Sequence, residues 1–134
     1  MLLIFAAIAS VGFFLLIANE EQEQKASKSR ISVQQVELSE LKLVSDYGTS
    51  YKLIGRVKNL SPQYMLTLLH IRITVRDCPA QGQCETVGDT TVTFYENVPT
   101  GQSRALDINV IFSGMPSIRG QFEWNYVITD VSAK

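Results

Sequence analysis

The stretch Leu69-His70-Ile71-Arg72-Ile73-Thr74-Val75-Arg76 decides the fold, because apolar and polar side chains alternate through it without a break. Successive side chains of a β-strand point to opposite faces, so this period of two predicts a strand with one buried face. Similar segments lie within residues 33–43, 51–58, 87–95, 106–112 and 122–129, and turn-forming residues separate them. The pattern predicts an all-β fold, an immunoglobulin-like antiparallel β-sandwich, with a small barrel as the alternative.

The first and last of these segments carry more specific expectations. In the first segment the apolar spacing changes near Gln35 and Val36, which predicts an irregularity of the strand at that point, such as a β-bulge. In the last segment Trp124 favours a core position over an aromatic ligand surface, because it alternates in phase with Phe122, Tyr126 and Ile128.

Three short motifs stand out within the β region: Gly55-Arg56-Val57-Lys58-Asn59, the strand end Ile73-Thr74-Val75-Arg76-Asp77, and Pro99-Thr100-Gly101-Gln102-Ser103. Together they resemble the FxLYD-type β-sandwich of membrane-anchored and secreted bacterial proteins, over roughly residues 33–112. Ile73, Val75 and Arg76 replace the Phe, Leu and Tyr of the family name, and Asp77 matches. The resemblance implies an extracytoplasmic sandwich used for structure or interaction, and it carries no catalytic residue onto this chain.

Residues 2–18 form an apolar run of 17 residues in which Ser10 is the single polar residue, and the strongly polar segment from Glu20 to Arg30 follows it. As a helix the run would cover about 25 Å, slightly less than the roughly 30 Å hydrocarbon core of a bilayer. We therefore expect a single transmembrane anchor helix (residues 1–19), a polar stalk that is helical or flexible (residues 20–30), and the sandwich domain (residues 31–134). A cleaved signal peptide is the alternative, but Leu16 and Ile17 stand where cleavage requires small residues.

Two observations disagree about the side of the membrane on which the domain lies. Lys25, Lys28 and Arg30 follow the apolar run, and positive charge there favours a cytoplasmic domain. Cys78 and Cys84 flank a short polar loop, which predicts a disulfide in an oxidising compartment and free thiols in a reducing one. We expect a single-pass membrane protein whose β domain is extracytoplasmic, in the periplasm.

Composition argues against several classes of function. The net charge is −1 with acidic and basic residues interspersed, which does not favour nucleic-acid binding. His70 is the single histidine, so a site built on several imidazoles is excluded, and we expect this residue at the exposed surface. Cys78 and Cys84 have no third ligand nearby in the sequence, which makes a zinc site unfavourable. We predict no catalytic, cofactor-binding or metal-binding residues.

The remaining features favour a protein that works by contact. Ala6, Ala9 and Ser10 form a small face on the predicted anchor, where another helix can approach closely. We expect a non-catalytic accessory or assembly subunit of a membrane protein complex, which contacts the lipid bilayer through residues 2–18. The alternative is an envelope binding module for a small ligand, peptide or cell-wall component at the loop between Cys78 and Cys84.

Overall fold

The computed structural model describes residues 17–28 and 30–134, and almost all of its regular structure is β. Residues 17–28 form a helix, α1, and Val33–Gln35 form one turn of 3₁₀-helix. The strands are β1 (Val36–Tyr47), β2 (Ser50–Asn59), β3 (Leu66–Cys78), β4 (Glu85–Phe94), β5 (Ser103–Ile111) and β6 (Gln121–Ala133). Each strand overlaps one of the segments predicted from alternation, so the all-β prediction is confirmed.

The strands form two three-stranded antiparallel sheets, which makes the domain a β-sandwich. One sheet has the order β1-β2-β5 and the other the order β4-β3-β6. Neighbouring edges of the two sheets, β4 and β5, come close together along one side of the sandwich, and the 3₁₀-helix approaches β6 along the other. β1 and β6 therefore flank that second side, which we call the open side because these two strands stay further apart.

The core lies between the sheets and comes mostly from the central strands. Leu69, Ile71, Ile73 and Val75 of β3 are fully buried, whereas the side chains between them point away from the core. The facing sheet contributes the buried residues Leu53, Val57, Leu106 and Val110. Burying one such side chain stabilises a fold by about 1.5–3 kcal/mol, so the alternation that predicted β3 also explains what holds the sheets together.

The irregularity predicted near Gln35 and Val36 is present, but it is the 3₁₀-helix through which the chain enters the sheet and not a β-bulge. Gln35 Oε1 accepts a hydrogen bond of 3.0 Å from the Ser32 N–H, which closes this turn. Val36 then begins β1 with extended backbone and a buried side chain.

The irregularity of β1 lies further along the strand. Its register against β2 shifts between Ser39 and Lys42, and Glu40 adopts a φ of 55° in the left-handed region. Gly55 lies beside this shift, where a Cβ would come within 2.7 Å of the Leu41 side chain. The position of the irregularity therefore depends on a residue of β2, and the spacing of apolar residues within β1 does not predict it.

The predicted anchor falls almost wholly outside the described residues, and so do Ala6, Ala9 and Ser10. None of the helices in residues 17–28 and 30–134 combines the length and apolar character needed to cross a membrane. Residues 20–28 of the predicted stalk are helical, which agrees with the helical alternative for that segment. Ile31, at the predicted start of the sandwich domain, is 3% exposed and belongs to the core.

Candidate functional site

One end of the sandwich carries the cysteine pair, and we call it the disulfide end. Cys78 is the last residue of β3 and Cys84 directly precedes β4, so the antiparallel pairing of these strands brings them together. Their sulfurs form a disulfide, as predicted. Cys78 is buried, whereas Cys84 is exposed, so solvent reaches one side of the cross-link.

Asp77 fastens the segment before β6 to the same end. Its carboxylate oxygens accept hydrogen bonds from the backbone N–H groups of Arg119 (2.9 Å) and Gly120 (2.7 Å). Gly120 lies so close that a Cβ would stand 2.4 Å from the Cys78 carbonyl oxygen. The aspartate of the second sequence motif therefore holds two distant chain segments together.

A cleft of about 440 Å³ lies beside the disulfide loop. Its walls carry groups of both charges, and they consist of Asp77, Pro79, Ala80, Gln83, Glu85, Arg119 and Gly120. Both carboxylate oxygens of Asp77 already accept hydrogen bonds from backbone N–H groups. The exposed side chains of Glu85 and Arg119 are therefore the charged groups that a ligand would meet.

β6 places a carboxylate next to the two sulfurs. Glu123 lies opposite Arg76 in the β3–β6 ladder, and one of its oxygens and the two sulfurs lie within 4.8 Å of one another. Glu123 is far from Cys78 and Cys84 in the sequence, and the pairing of β3 with β6 brings it to them. In the oxidised state Glu123 bonds the Arg76 guanidinium at 2.9 Å.

The open side exposes apolar side chains that face the core. Trp124 lies opposite Val75 and Tyr126 lies opposite Ile73, both of which are buried. Trp124 is nevertheless only half-buried, and Tyr126 is 40% exposed. Trp124 therefore packs against the core on the predicted face, but it is only partly buried because β6 is an edge strand.

Both edge strands contribute to an apolar stripe along the open side. The stripe consists of five residues that pack on the core without being fully buried, Leu38, Leu41, Leu43, Trp124 and Ile128, together with the exposed Tyr126 on the same face of β6. Phe122 ends the stripe at the disulfide end, where its ring stacks on Tyr51 with a centroid distance of 5.6 Å.

Asn59 organises the end opposite the disulfide. It is fully buried, and its Nδ2 donates to the carbonyl oxygens of Tyr64 and Val98, both at 2.8 Å, while its Oδ1 accepts from the Ser61 N–H at 2.9 Å. The Asn59 carbonyl accepts from the N–H of Gly101, which has a φ of 70°. The first and third sequence motifs therefore meet in one turn structure.

His70 points away from the core as its register predicts, but it is not the exposed residue that we expected. It is half-buried, and its Nδ1 lies 2.9 Å from Thr93 Oγ1. Lys28 of α1 bonds Asp130 at 2.9 Å on the same outer surface. The stalk helix therefore packs beside His70, which sequence alternation within β3 does not indicate.

An ion pair on the outer face of the same sheet shifts the pKa values of both partners. Arg72 Nε donates to Asp89 at 2.9 Å, and a second guanidinium nitrogen contacts the other carboxylate oxygen. The hydrogen bond from Arg72 lowers the pKa of Asp89, and the same bond raises the pKa of Arg72. Both side chains are exposed, so this pair is a surface feature.

Comparisons with protein-family models, with curated proteins and with solved structures found no match for this chain. The resemblance to FxLYD-type domains therefore rests on the three motifs alone and stays a prediction.

Proposed function

We propose that this chain is a non-catalytic interaction module, the membrane-anchored accessory or assembly subunit of a membrane protein complex. The observation that carries the proposal is the apolar stripe on the open side. Monomeric domains normally cover the inward face of a sandwich, and apolar side chains left partly exposed along two sheet edges are typical of a contact site.

The proposed occupant is an extended segment of another subunit of the complex. Among residues 17–28 and 30–134, no strand pairs with the outer edge of β6, and from residue 121 to residue 128 the pairing of β6 with β3 runs without a register shift. An extended segment can add to such an edge through main-chain hydrogen bonds and place every second side chain over the stripe. The stripe is apolar, so those alternate side chains should be apolar as well.

The strand order supports an immunoglobulin-like arrangement for the sandwich. The sheet β1-β2-β5 corresponds to strands A, B and E of that fold, and the neighbours β3 and β6 correspond to strands C and F. β4 pairs with β3 instead of joining the first sheet. The three sequence motifs lead us to propose further that the domain is of the FxLYD type.

We further propose that residues 2–18 anchor the chain and that the domain lies in the periplasm. The disulfide supports this orientation, because such bonds form and persist in oxidising compartments. A membrane anchor would hold the domain beside other subunits, which raises their effective concentration and lets a modest edge contact suffice.

Site-specific photo-crosslinking tests the contact surface. A photoreactive phenylalanine analogue replaces Tyr126 in the stripe, and Tyr95 and Tyr47, which are 71% and 88% exposed elsewhere, serve as matched controls. In intact membranes we expect crosslinks to a larger protein from position 126 and few from positions 95 and 47. Equal yields at the three positions would contradict the stripe as the contact surface.

A second candidate function is a ligand-binding module, and the cleft at the disulfide end favours it. Its mixed charges suit a small zwitterionic ligand or a peptide terminus. Arg119→Glu should abolish binding of such a ligand to the purified chain and leave crosslinking from position 126 unchanged. Ligand binding that Arg119→Glu abolishes would favour the module, and crosslinking from position 126 without any ligand binding would favour the subunit function.

A further inference from the structure

The disulfide end holds three potential metal ligands, and one of them is far from the other two in the sequence. The sulfurs of Cys78 and Cys84 and a carboxylate oxygen of Glu123 lie within 4.8 Å of one another. Thiolate and carboxylate are both ligands of Zn²⁺, and three protein ligands with one open position make a common zinc geometry. In the oxidised protein the sulfurs are bonded to each other and do not present this set.

Breaking the S–S bond would bring the three atoms into a suitable range. Zn²⁺ binds sulfur at about 2.3 Å and carboxylate oxygen at about 2.0–2.2 Å, so two sulfurs on one tetrahedral ion stand about 3.8 Å apart. Cys84 is exposed and lies outside the strands, so its side chain can rotate away from that of Cys78. Glu123 is already within reach of both.

Glu123 can leave its present partner at little cost. Its ion pair with Arg76 has side chains that are 40% and 42% exposed, and such pairs contribute little to stability. Asp77, the other carboxylate beside Cys78, is held by the two backbone N–H groups of Arg119 and Gly120. Glu123 is therefore the carboxylate best placed to follow a metal ion.

We propose that the reduced chain binds one thiophilic divalent cation of the Zn²⁺ class through Cys78, Cys84 and Glu123, and that oxidation abolishes the site. A dithiol reductant supplies two electrons and two protons, the S–S bond breaks, two thiols form, and the dithiol becomes a disulfide. The cation then displaces one proton from each thiol. This site is independent of the proposed contact on the open side.

The test compares metal binding by the oxidised and reduced full-length chain in mild detergent. The protein is reduced with a dithiol, freed of it by desalting without oxygen, and titrated with Zn²⁺ in competition with a chromophoric chelator. A parallel titration with Cd²⁺ reports thiolate ligation through its ultraviolet charge-transfer absorption. Glu123→Gln removes the third ligand, and Glu85→Gln is the matched control, since Glu85 also lies beside Cys84 but outside the ligand set.

We expect one equivalent of Zn²⁺ on the reduced chain, none on the oxidised chain, and thiolate absorption with Cd²⁺. Glu123→Gln should weaken Zn²⁺ binding about tenfold or more, and Glu85→Gln should leave it unchanged. The proposal is overturned if the reduced chain does not bind, if the oxidised chain binds equally well, or if the two glutamate variants bind alike.

Discussion

Asn59→Ala tests the buried hydrogen-bond network at the end opposite the disulfide. The substitution removes the partner of the Ser61 N–H and of the Tyr64 carbonyl, whereas the Val98 carbonyl keeps a hydrogen bond of 3.1 Å from the Leu66 N–H. Each buried group left without a partner costs about 1–3 kcal/mol. For the two groups together we therefore expect the free energy of unfolding to fall by about 2–6 kcal/mol, a large part of the 5–15 kcal/mol typical of a domain.

Urea unfolding of the full-length chain in mild detergent measures this loss. The fluorescence of Trp124, the only tryptophan, follows the transition, and a lower midpoint with an unchanged slope reports lost stability. Asn109→Ala is the matched control, because Asn109 is exposed on β5. A loss for Asn59→Ala within about 0.5 kcal/mol of the control, the usual range for surface substitutions, would refute the reasoning.

Asn59→Asp separates the donor role from the acceptor role of this side chain. The new carboxylate can still accept from the Ser61 N–H, but it faces the carbonyl oxygens of Tyr64 and Val98. Burial and these oxygens should raise the pKa of the introduced acid in the folded state. Its stability should therefore be lowest at neutral pH and recover as the pH falls and the acid becomes protonated. An equal loss at pH 4 and pH 7 would contradict this reasoning.

Three further predictions concern single side chains. Trp124→Ala should lower the free energy of unfolding by about 2–3 kcal/mol, which is less than the roughly 3–5 kcal/mol lost at a fully buried site. Urea unfolding followed by circular dichroism measures this loss, and a loss above about 4 kcal/mol would mean that the open side is closed. Alkylation without reduction should label neither Cys78 nor Cys84, and quantitative labelling of both in intact membranes would favour a cytoplasmic domain. Reduction of the disulfide should lower the free energy of unfolding by about 2 kcal/mol, the chain-entropy estimate for so short a loop. The hydrogen bond from Arg72 lowers the pKa of Asp89 in the folded state. The ion pair therefore stabilises the fold at a pH above the pKa that Asp89 has in the unfolded chain, and this stabilisation is lost as the pH falls through the pKa of Asp89 in the folded chain. Asp89→Asn should flatten the acid limb of the stability profile, and an unchanged limb would show that the pair contributes nothing.

Alternation along the chain predicts every strand because it is a local property of a half-buried sheet. The β3 core positions Leu69, Ile71, Ile73 and Val75 are buried as this pattern requires. The cysteine pairing was also predictable, because only one pair exists and a short loop joins it.

The remaining features depend on which strands become neighbours, and local patterns do not encode that. Trp124 has the pattern of a core residue, but its exposure follows from the edge position of β6. Glu123 reaches the sulfurs only through the β3–β6 register, and the shift at Glu40 reflects the missing side chain of Gly55 on β2. His70 lines a cavity together with Ser27 and Lys28 of α1, a segment far from it in the sequence.

The central claim is that this protein is held against a larger membrane assembly. The most direct test is native electrophoresis of gently solubilised membranes, with the wild-type chain compared with a variant that carries both Ala6→Leu and Ser10→Leu. The wild-type chain should migrate with a larger complex, and the variant should remain in the membrane fraction but dissociate, because bulky side chains block close helix approach. A wild-type chain that migrates alone in several mild detergents would contradict the account.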